Sequence, residues 1–239
     1  MKTLFIIKAG TTHASSAERL GDFEQWIIDG LGNPPCPIEV VDAVRGQRLP
    51  DPRDCAGVIV TGSHDMVTDD LPWSLAIEQW IPGLIDACVP FLGICYGHQL
   101  LGRAAGGAVG YHPCGREVGT VAVELTAEGR EDRLFEGVPE RFPAHATHAQ
   151  SVLSLPSGAL RLAWNSHEPN HAFRVGRCAW GVQFHPEYTP EIMAAYVLED
   201  TPELEAEGAD PAGLVAGIVA TPGAGRVLTN FASLACRGT

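Results

Sequence analysis

Gly93-Ile94-Cys95-Tyr96-Gly97 sets one cysteine between two glycines. An apolar run, Pro90-Phe91-Leu92, precedes it, and His98-Gln99-Leu100-Leu101 follows. The pattern is the thiol version of a nucleophile elbow, a tight strand-to-helix turn that holds its middle residue in a strained backbone conformation. Glycines on either side have no Cβ, so strand, turn and helix can approach closely. The following helix points its free N–H groups and the positive end of its dipole at the sulfur. That favours the thiolate, which is the nucleophilic form. Taken alone, Cys95 reads equally as a buried thiol at a strand end, because free cysteine is among the most buried residue types.

A second segment decides between these readings. Trp180-Gly181-Val182-Gln183-Phe184-His185-Pro186-Glu187 lies ninety positions beyond Cys95. A thiol nucleophile needs a base, and the base needs a third group to orient it. In extended chain, residues two apart face the same side, and Pro186 biases His185 towards extended backbone. Glu187 can therefore fix the tautomer of the His185 imidazole and stabilise its cation.

The two motifs, GICYGHQ and GVQFHPE, in this order and spacing resemble those of the class I (triad-type) glutamine amidotransferases. The nearest resemblance is to stand-alone domains similar to the glutaminase half of GMP synthetase. It runs from Met1 to about Tyr196. It implies Cys95 as nucleophile, His185 as base and Glu187 as orienting acid. It also implies an oxyanion hole made of the Tyr96 N–H and a donor from a glycine loop, placed here at Gly62. That loop reads Gly62-Ser63 where the glutaminases of GMP synthetases carry two glycines. Gln99, Arg116, Glu117 and His148 are the implied substrate-binding positions. Arg116 and Glu117 offer one charge of each sign to a substrate with α-amino and α-carboxylate groups, or else form a solvated ion pair. His148 reads as a pocket wall rather than a base. Thr147 and Gln150 depart from the family's usual Ser-His-x-Asp pattern. His64 and Asp65 read as solvated turn residues more readily than as substrate contacts.

The resemblance implies hydrolysis of the glutamine side-chain amide, with ammonia passed to a separate synthase subunit. No phosphate-binding loop of the Walker type occurs in the chain to activate an acceptor. The alternative is a free-standing γ-glutamyl peptide hydrolase, whose acyl half is identical. A third class is a non-catalytic binding or regulatory protein that keeps the elbow.

The surrounding elements fit this placement. Strands are expected at Leu4 to Lys8, Ile38 to Val41, Gly57 to Thr61 and Phe91 to Ile94. Helices are expected at Ser16 to Leu31, Pro72 to Ala87 and Gly97 to Ala105. Alternation of this kind predicts a doubly wound, mostly parallel α/β sheet with helices on both faces, flavodoxin-like as in the family. From Thr120 the pattern changes to short strands at Val121 to Leu125, Leu160 to Asn165, Ala172 to Val175 and Ala179 to Phe184, a small antiparallel addition. Thr189 caps a helix running to Leu198. Residues 1–198 are thus expected to form one domain. Residues 199–239 read as a helical extension packed on it or as an oligomer contact, with two helices at Pro211 to Ala220 and Gly225 to Ala235.

The 239 residues, 45% of them hydrophobic and 19% charged, suit a globular protein. A net charge of −13 argues against non-specific nucleic-acid binding. No apolar run approaches the roughly 20 residues of a membrane span, and the N-terminus reads as a first strand rather than a signal sequence. Seven cysteines, with no C-x-x-C pair, suit a reducing cytoplasm and predict six structural or incidental thiols beside Cys95. His112, Cys114, His145 and His148 lack zinc-type spacing. Neither metal nor cofactor is expected. A homodimer remains open.

Overall fold

The computed structural model describes residues 2–236. Met1 and the last three residues of the expected extension lie outside the described residues.

The first strand, β1 (Thr3–Lys8), lies between β2 (Ile38–Asp42) and β3 (Cys55–Val60), both parallel to it. β4 (Phe91–Ile94) extends the parallel set, and the late strand β11 (Ala179–Val182) completes it. β3, β4 and β11 are buried along their whole length, as parallel strands covered on both faces must be. Beyond β11 the sheet becomes antiparallel through β10 (Ala172–Val175), β9 (Leu160–Trp164), β6 (Glu117–Leu125) and β7 (Arg141–His148). The nine-stranded order is β2-β1-β3-β4-β11-β10-β9-β6-β7. A separate pair joins β5 (Ala108–Tyr111) to β8 (Gln150–Ser154).

Two cores cover the two faces of this sheet. One contains Ile77, Ile81 and Leu84 of α3 (Pro72–Asp86) together with Leu100 and Leu101 of α4 (Tyr96–Ala104). The other contains Ile27 and Leu31 of α2 (Phe23–Leu31) and Val227, Leu228 and Phe231 of α9 (Pro222–Cys236). This is the expected doubly wound α/β architecture.

Several boundaries differ from the sequence reading. The single helix expected over Ser16 to Leu31 is two helices, α1 (Ala14–Leu20) and α2. Gly21 takes φ 85°, a left-handed value that ends the first helix. Asp22 then caps the second, accepting from the Phe23 N–H. β6 begins at Glu117 rather than Val121, and the sequence reading had no counterpart for β5 and β7. β5 is only four residues long, β7 is mixed in polarity, and the pairing of both is long-range. A short helix, α5 (Ala127–Glu131), follows β6.

The last helix of the C-terminal extension is integral to the core. After α6 (Pro190–Glu199) come α7 (Thr201–Ala206), α8 (Pro211–Ala216) and α9. α9 packs so closely on β3 that a Cβ on Gly57 would stand 2.6 Å from the Ala235 Cβ. The expectation of six structural or incidental thiols beside Cys95 is corrected here for two of them. Cys36 and Cys236 form a disulfide that joins the end of α9 to the loop before β2. The spacing of 200 residues gave no local signal for it. Closing so long a loop restricts the unfolded chain, so Cys36→Ser is expected to lower unfolding free energy by about 2–5 kcal/mol. Chemical denaturation with and without reductant measures the loss.

Candidate active site

Cys95 sits at the corner between β4 and α4 with φ 49° and ψ −96°. This left-handed value is strained for a residue with a Cβ. The surroundings enforce it. The Cys95 N–H donates to the Val182 carbonyl at 2.9 Å, and its own carbonyl accepts from Gln99 N–H at 3.1 Å. A Cβ on Gly93 would lie 2.2 Å from the Gly97 carbonyl oxygen, and one on Gly97 would lie 2.5 Å from that of Val60. Both glycines are therefore required by close backbone approach. The residue is buried except where its sulfur meets the cavity, and Sγ lies 3.8 Å from the Thr147 carbonyl oxygen.

β11 delivers the second segment beside this corner. The His185 N–H donates to the His145 carbonyl at 2.8 Å, pinning the segment to β7. His185 Nδ1 is 2.7 Å from Glu187 Oε1, and both side chains are almost wholly buried. The ring stacks on Tyr188, 4.1 Å away, and lies near-parallel to Phe23, 6.4 Å away. With Nδ1 taken by the carboxylate, Nε2 is the atom left for chemistry. Burial pushes the His185 imidazolium down, but the charges of Glu187 and Cys95 outweigh it and lift its pKa to about 10. The stabilisation tied to this shift is complete below the ordinary histidine value. It is lost as pH rises from there through about 10.

The loop after β3 closes the opposite side. A Cβ on Gly62 would stand 3.1 Å from His185 Cε1, so this position tolerates little beyond glycine. Thr61 Oγ1 accepts from the Ala9 N–H at 3.0 Å and donates to the Gly62 carbonyl at 2.8 Å, which fixes the plane of the Gly62–Ser63 peptide. Tyr96 begins α4, and its hydroxyl is held against Ser74 Oγ at 2.7 Å.

Cys95, Tyr96 and His185 line a cavity of about 230 Å³, and on the β3 loop it is Ser63, next to Gly62, that reaches the lining. Gln99 is on its wall, its Nε2 donating to the Gln150 carbonyl at 2.7 Å and to Gln183 Oε1 at 3.1 Å. Arg116 and His148 also line it. Arg116 is not free. It pairs with Asp200 at 3.2 Å and Glu207 at 3.4 Å, across the cleft from its own loop.

Glu117 is a correction to the expected pair of substrate contacts. Its carboxylate turns away from this cavity into the protein. It accepts from His148 Nε2 at 3.1 Å and from Asn165 Nδ2 at 2.7 Å, and it lies 3.0 Å from His171 Nε2. Burial pushes the Glu117 carboxyl up, but the two histidines bring it well below the usual carboxylate range. Its part is to hold His148 in the cavity wall.

His64 and Asp65 are likewise not merely solvated turn residues. Both line the cavity, and His64 Nε2 lies 3.2 Å from the Tyr196 hydroxyl. Tyr188, Tyr196, Asp200 and Glu203 also line it and were absent from the sequence-based site. Tyr188, next to Glu187 in the chain, was within reach of local reasoning. The other three, at the end of α6 and in α7, carried no motif.

A strained elbow cysteine on a doubly wound sheet, faced by a histidine held by a buried carboxylate, defines an α/β protein with a thiol–imidazole–carboxylate constellation. The chain belongs to the class I glutamine amidotransferase family, whose model matches residues 20–202. It is 38% identical over 133 residues to the GMP synthase (glutamine-hydrolyzing) of Porphyromonas gingivalis, an alignment covering 55% of this chain and 24% of that protein. It is 28% identical to gamma-glutamyl peptidase 5 of Arabidopsis thaliana, covering 72% of this chain and 65% of that one. The chain thus spans about a quarter of the Porphyromonas GMP synthase and just under two thirds of the peptidase. The crystal structure of a glutamine amidotransferase from Thermotoga maritima shares the fold, with TM-score 0.75 and 22% identity over 99% of both chains. So does one from Methylobacillus flagellatus, with TM-score 0.75, 24% identity and coverage of 98% of this chain and 94% of that one.

No helix among the described residues is long and apolar enough to cross a membrane. No group of three or more metal-ligating side chains converges among them, so the set His112, Cys114, His145 and His148 does not form a ligand cluster.

Proposed function

We propose that the chain hydrolyses the γ-amide of a glutamyl substrate through Cys95, His185 and Glu187, glutamine being the simplest such substrate. The observation that carries this is His185, held at Nδ1 by Glu187 and lining one cavity with a strained Cys95 whose charge raises the His185 pKa. The Cys95 thiolate attacks the amide carbonyl. The N–H groups of Tyr96 and Gly62 receive the developing oxyanion, often the largest single contribution to such catalysis. The His185 imidazolium gives its proton to the leaving nitrogen as the C–N bond breaks and a thioester remains. Thioester formation removes the negative charge on Cys95. One of the two influences that raise the His185 pKa then disappears, and the neutral ring becomes available to take a proton from water. Water attack releases glutamate and restores the thiol.

The acylation half needs the imidazolium. We therefore expect kcat/KM for glutamine to hold through neutral pH and to fall as pH rises towards about 10. A pH–rate profile checks this; an alkaline limb near the ordinary histidine value would contradict it.

In the reading closest to the GMP synthases, the ammonia passes to a separate acceptor subunit. The second reading, a free-standing γ-glutamyl hydrolase, is favoured by a specific observation. A further cavity of about 780 Å³ adjoins the catalytic one and shares Met66, Arg116 and Ala149 with it. Ammonia has no need of such a volume. Incubation with glutamine and, in parallel, with glutathione separates the readings. Cys95-dependent glutamate release from glutathione supports the hydrolase, and release from glutamine alone supports the amidotransferase subunit. Release from neither, with no thioester formed, supports the non-catalytic binding protein.

A further inference from the structure

The catalytic cavity has two chemically distinct sides. Protonation of the leaving nitrogen comes from His185, so its substituents lie on the His185 side of Cys95. Gln99 and Gln150 also line the cavity and are left to meet the glutamyl carbons. His185 Nε2 is buried, without a hydrogen bond of ordinary geometry, and faces the place where that nitrogen must sit.

The His185 side is built from rings and carboxylates. Tyr188 and Tyr196 lie 5.1 Å apart, and His64 stacks on Tyr196 at 5.6 Å. The Tyr196 hydroxyl is fixed 2.7 Å from Thr12 Oγ1. Burial, followed by the charge of His13, pushes the His64 imidazolium down, so the cation of this ring wall is His185, beside Glu187. Beyond the rings come Asp200 and Glu203, and then Glu207 at the second cavity. Spacings of three and four residues put these carboxylates on one face around α7. The face already holds a cation: the Arg116 guanidinium lies between Asp200 and Glu207. Glu203, between them in sequence, has no ion pair among the described residues and is exposed. With Asp65, four carboxylates line the two cavities; Arg116 and His13 Nε2, 3.0 Å away, already meet Asp200, and Glu203 and Asp65 are the two without an ion pair among the described residues.

We propose that the amide cleaved here carries a cationic leaving group: the γ-glutamyl amide of a diamine or longer polyamine, with its distal ammonium along the Asp200–Glu203–Glu207 face. Rings beside carboxylates suit an ammonium through cation–π attraction and charge. The proposal rests on the γ-glutamyl hydrolase reading. Cys95 displaces the amine, which leaves with the His185 proton, and water then cleaves the thioester, giving glutamate and the free diamine.

The test compares three γ-glutamyl amides of equal chain length, made from 1,4-diaminobutane, butylamine and 4-aminobutyrate. The expected order of kcat/KM is cationic above neutral above anionic, with roughly tenfold between cationic and neutral at low salt and less at high salt. Glu203→Gln is expected to lower the cationic-to-neutral ratio several-fold. Cys95-dependent turnover of all three amides at similar rates would overturn the proposal while leaving the hydrolase reading intact. A preference for the neutral or anionic amide would do the same. Turnover of none of them, with glutamine also inert, would overturn both.

Discussion

Cys95→Ala is expected to reduce glutamate release by about 10⁴-fold or more, the scale seen when the nucleophile of a catalytic unit is removed. The folded protein should survive the change, because alanine keeps the Cβ that the elbow already accommodates at φ 49°. A second readout distinguishes loss of chemistry from loss of structure. The Cys95 charge is one cause of the raised His185 pKa. Removing it should therefore move the His185 titration downward, measurable by NMR of the imidazole. An unchanged titration would mean that the two side chains do not interact as the structure has them.

Glu187→Gln carries the second large effect, an expected loss of about 10²–10⁴-fold in kcat. The carboxylate 2.7 Å from His185 Nδ1 does two things. It selects the tautomer with the proton on Nδ1, and it balances the imidazolium that acylation consumes. An amide at this position preserves the shape but can present its N–H₂ to Nδ1, which leaves the proton on the wrong nitrogen. Glu187 is also the larger of the two charges that raise the His185 pKa, so the alkaline limb of the pH profile should shift towards neutrality. A loss of activity with an unmoved limb would assign Glu187 a packing role instead.

The parts of the site that were legible in the sequence are those whose chemistry is written in adjacent residues. Gly93, Cys95 and Gly97 fall within five positions, and the steric demand for both glycines is local to that turn. His185 and Glu187 are two apart, and their contact is a property of extended backbone. The parallel half of the sheet was legible for a similar reason. β1, β3 and β4 are short apolar runs punctuated by helices, and burial on both faces leaves little polar alternation to confuse.

What the sequence did not reveal depends on partners far along the chain. Glu117 looks like half of a surface pair with Arg116. Its carboxylate is instead claimed by His148 on β7 and by Asn165 and His171 in the connection between β9 and β10. Arg116 is held by residues 84 and 91 positions later, in a segment with no motif. β7 begins Arg141-Phe142-Pro143 and contains two histidines, and its identity as an edge strand is set by eight paired positions on β6. The break at Gly21 interrupts a stretch whose apolar spacing suits one helix, because periodicity does not register the backbone freedom of a single glycine. The role of α7 as a cavity wall is of the same kind: its acidic residues read as a solvated run until the fold sets them opposite Arg116.

The central claim is covalent: a γ-glutamyl thioester on Cys95. The most direct measurement is intact-protein mass spectrometry after brief exposure to glutamine or a γ-glutamyl amide and acid quenching, with peptide mapping of the product. The account predicts one added glutamyl unit located on Cys95, absent from Cys95→Ala and lost on longer incubation as water completes the cycle. Catalytic glutamate release with no adduct on Cys95, or with the adduct on another residue, would contradict it.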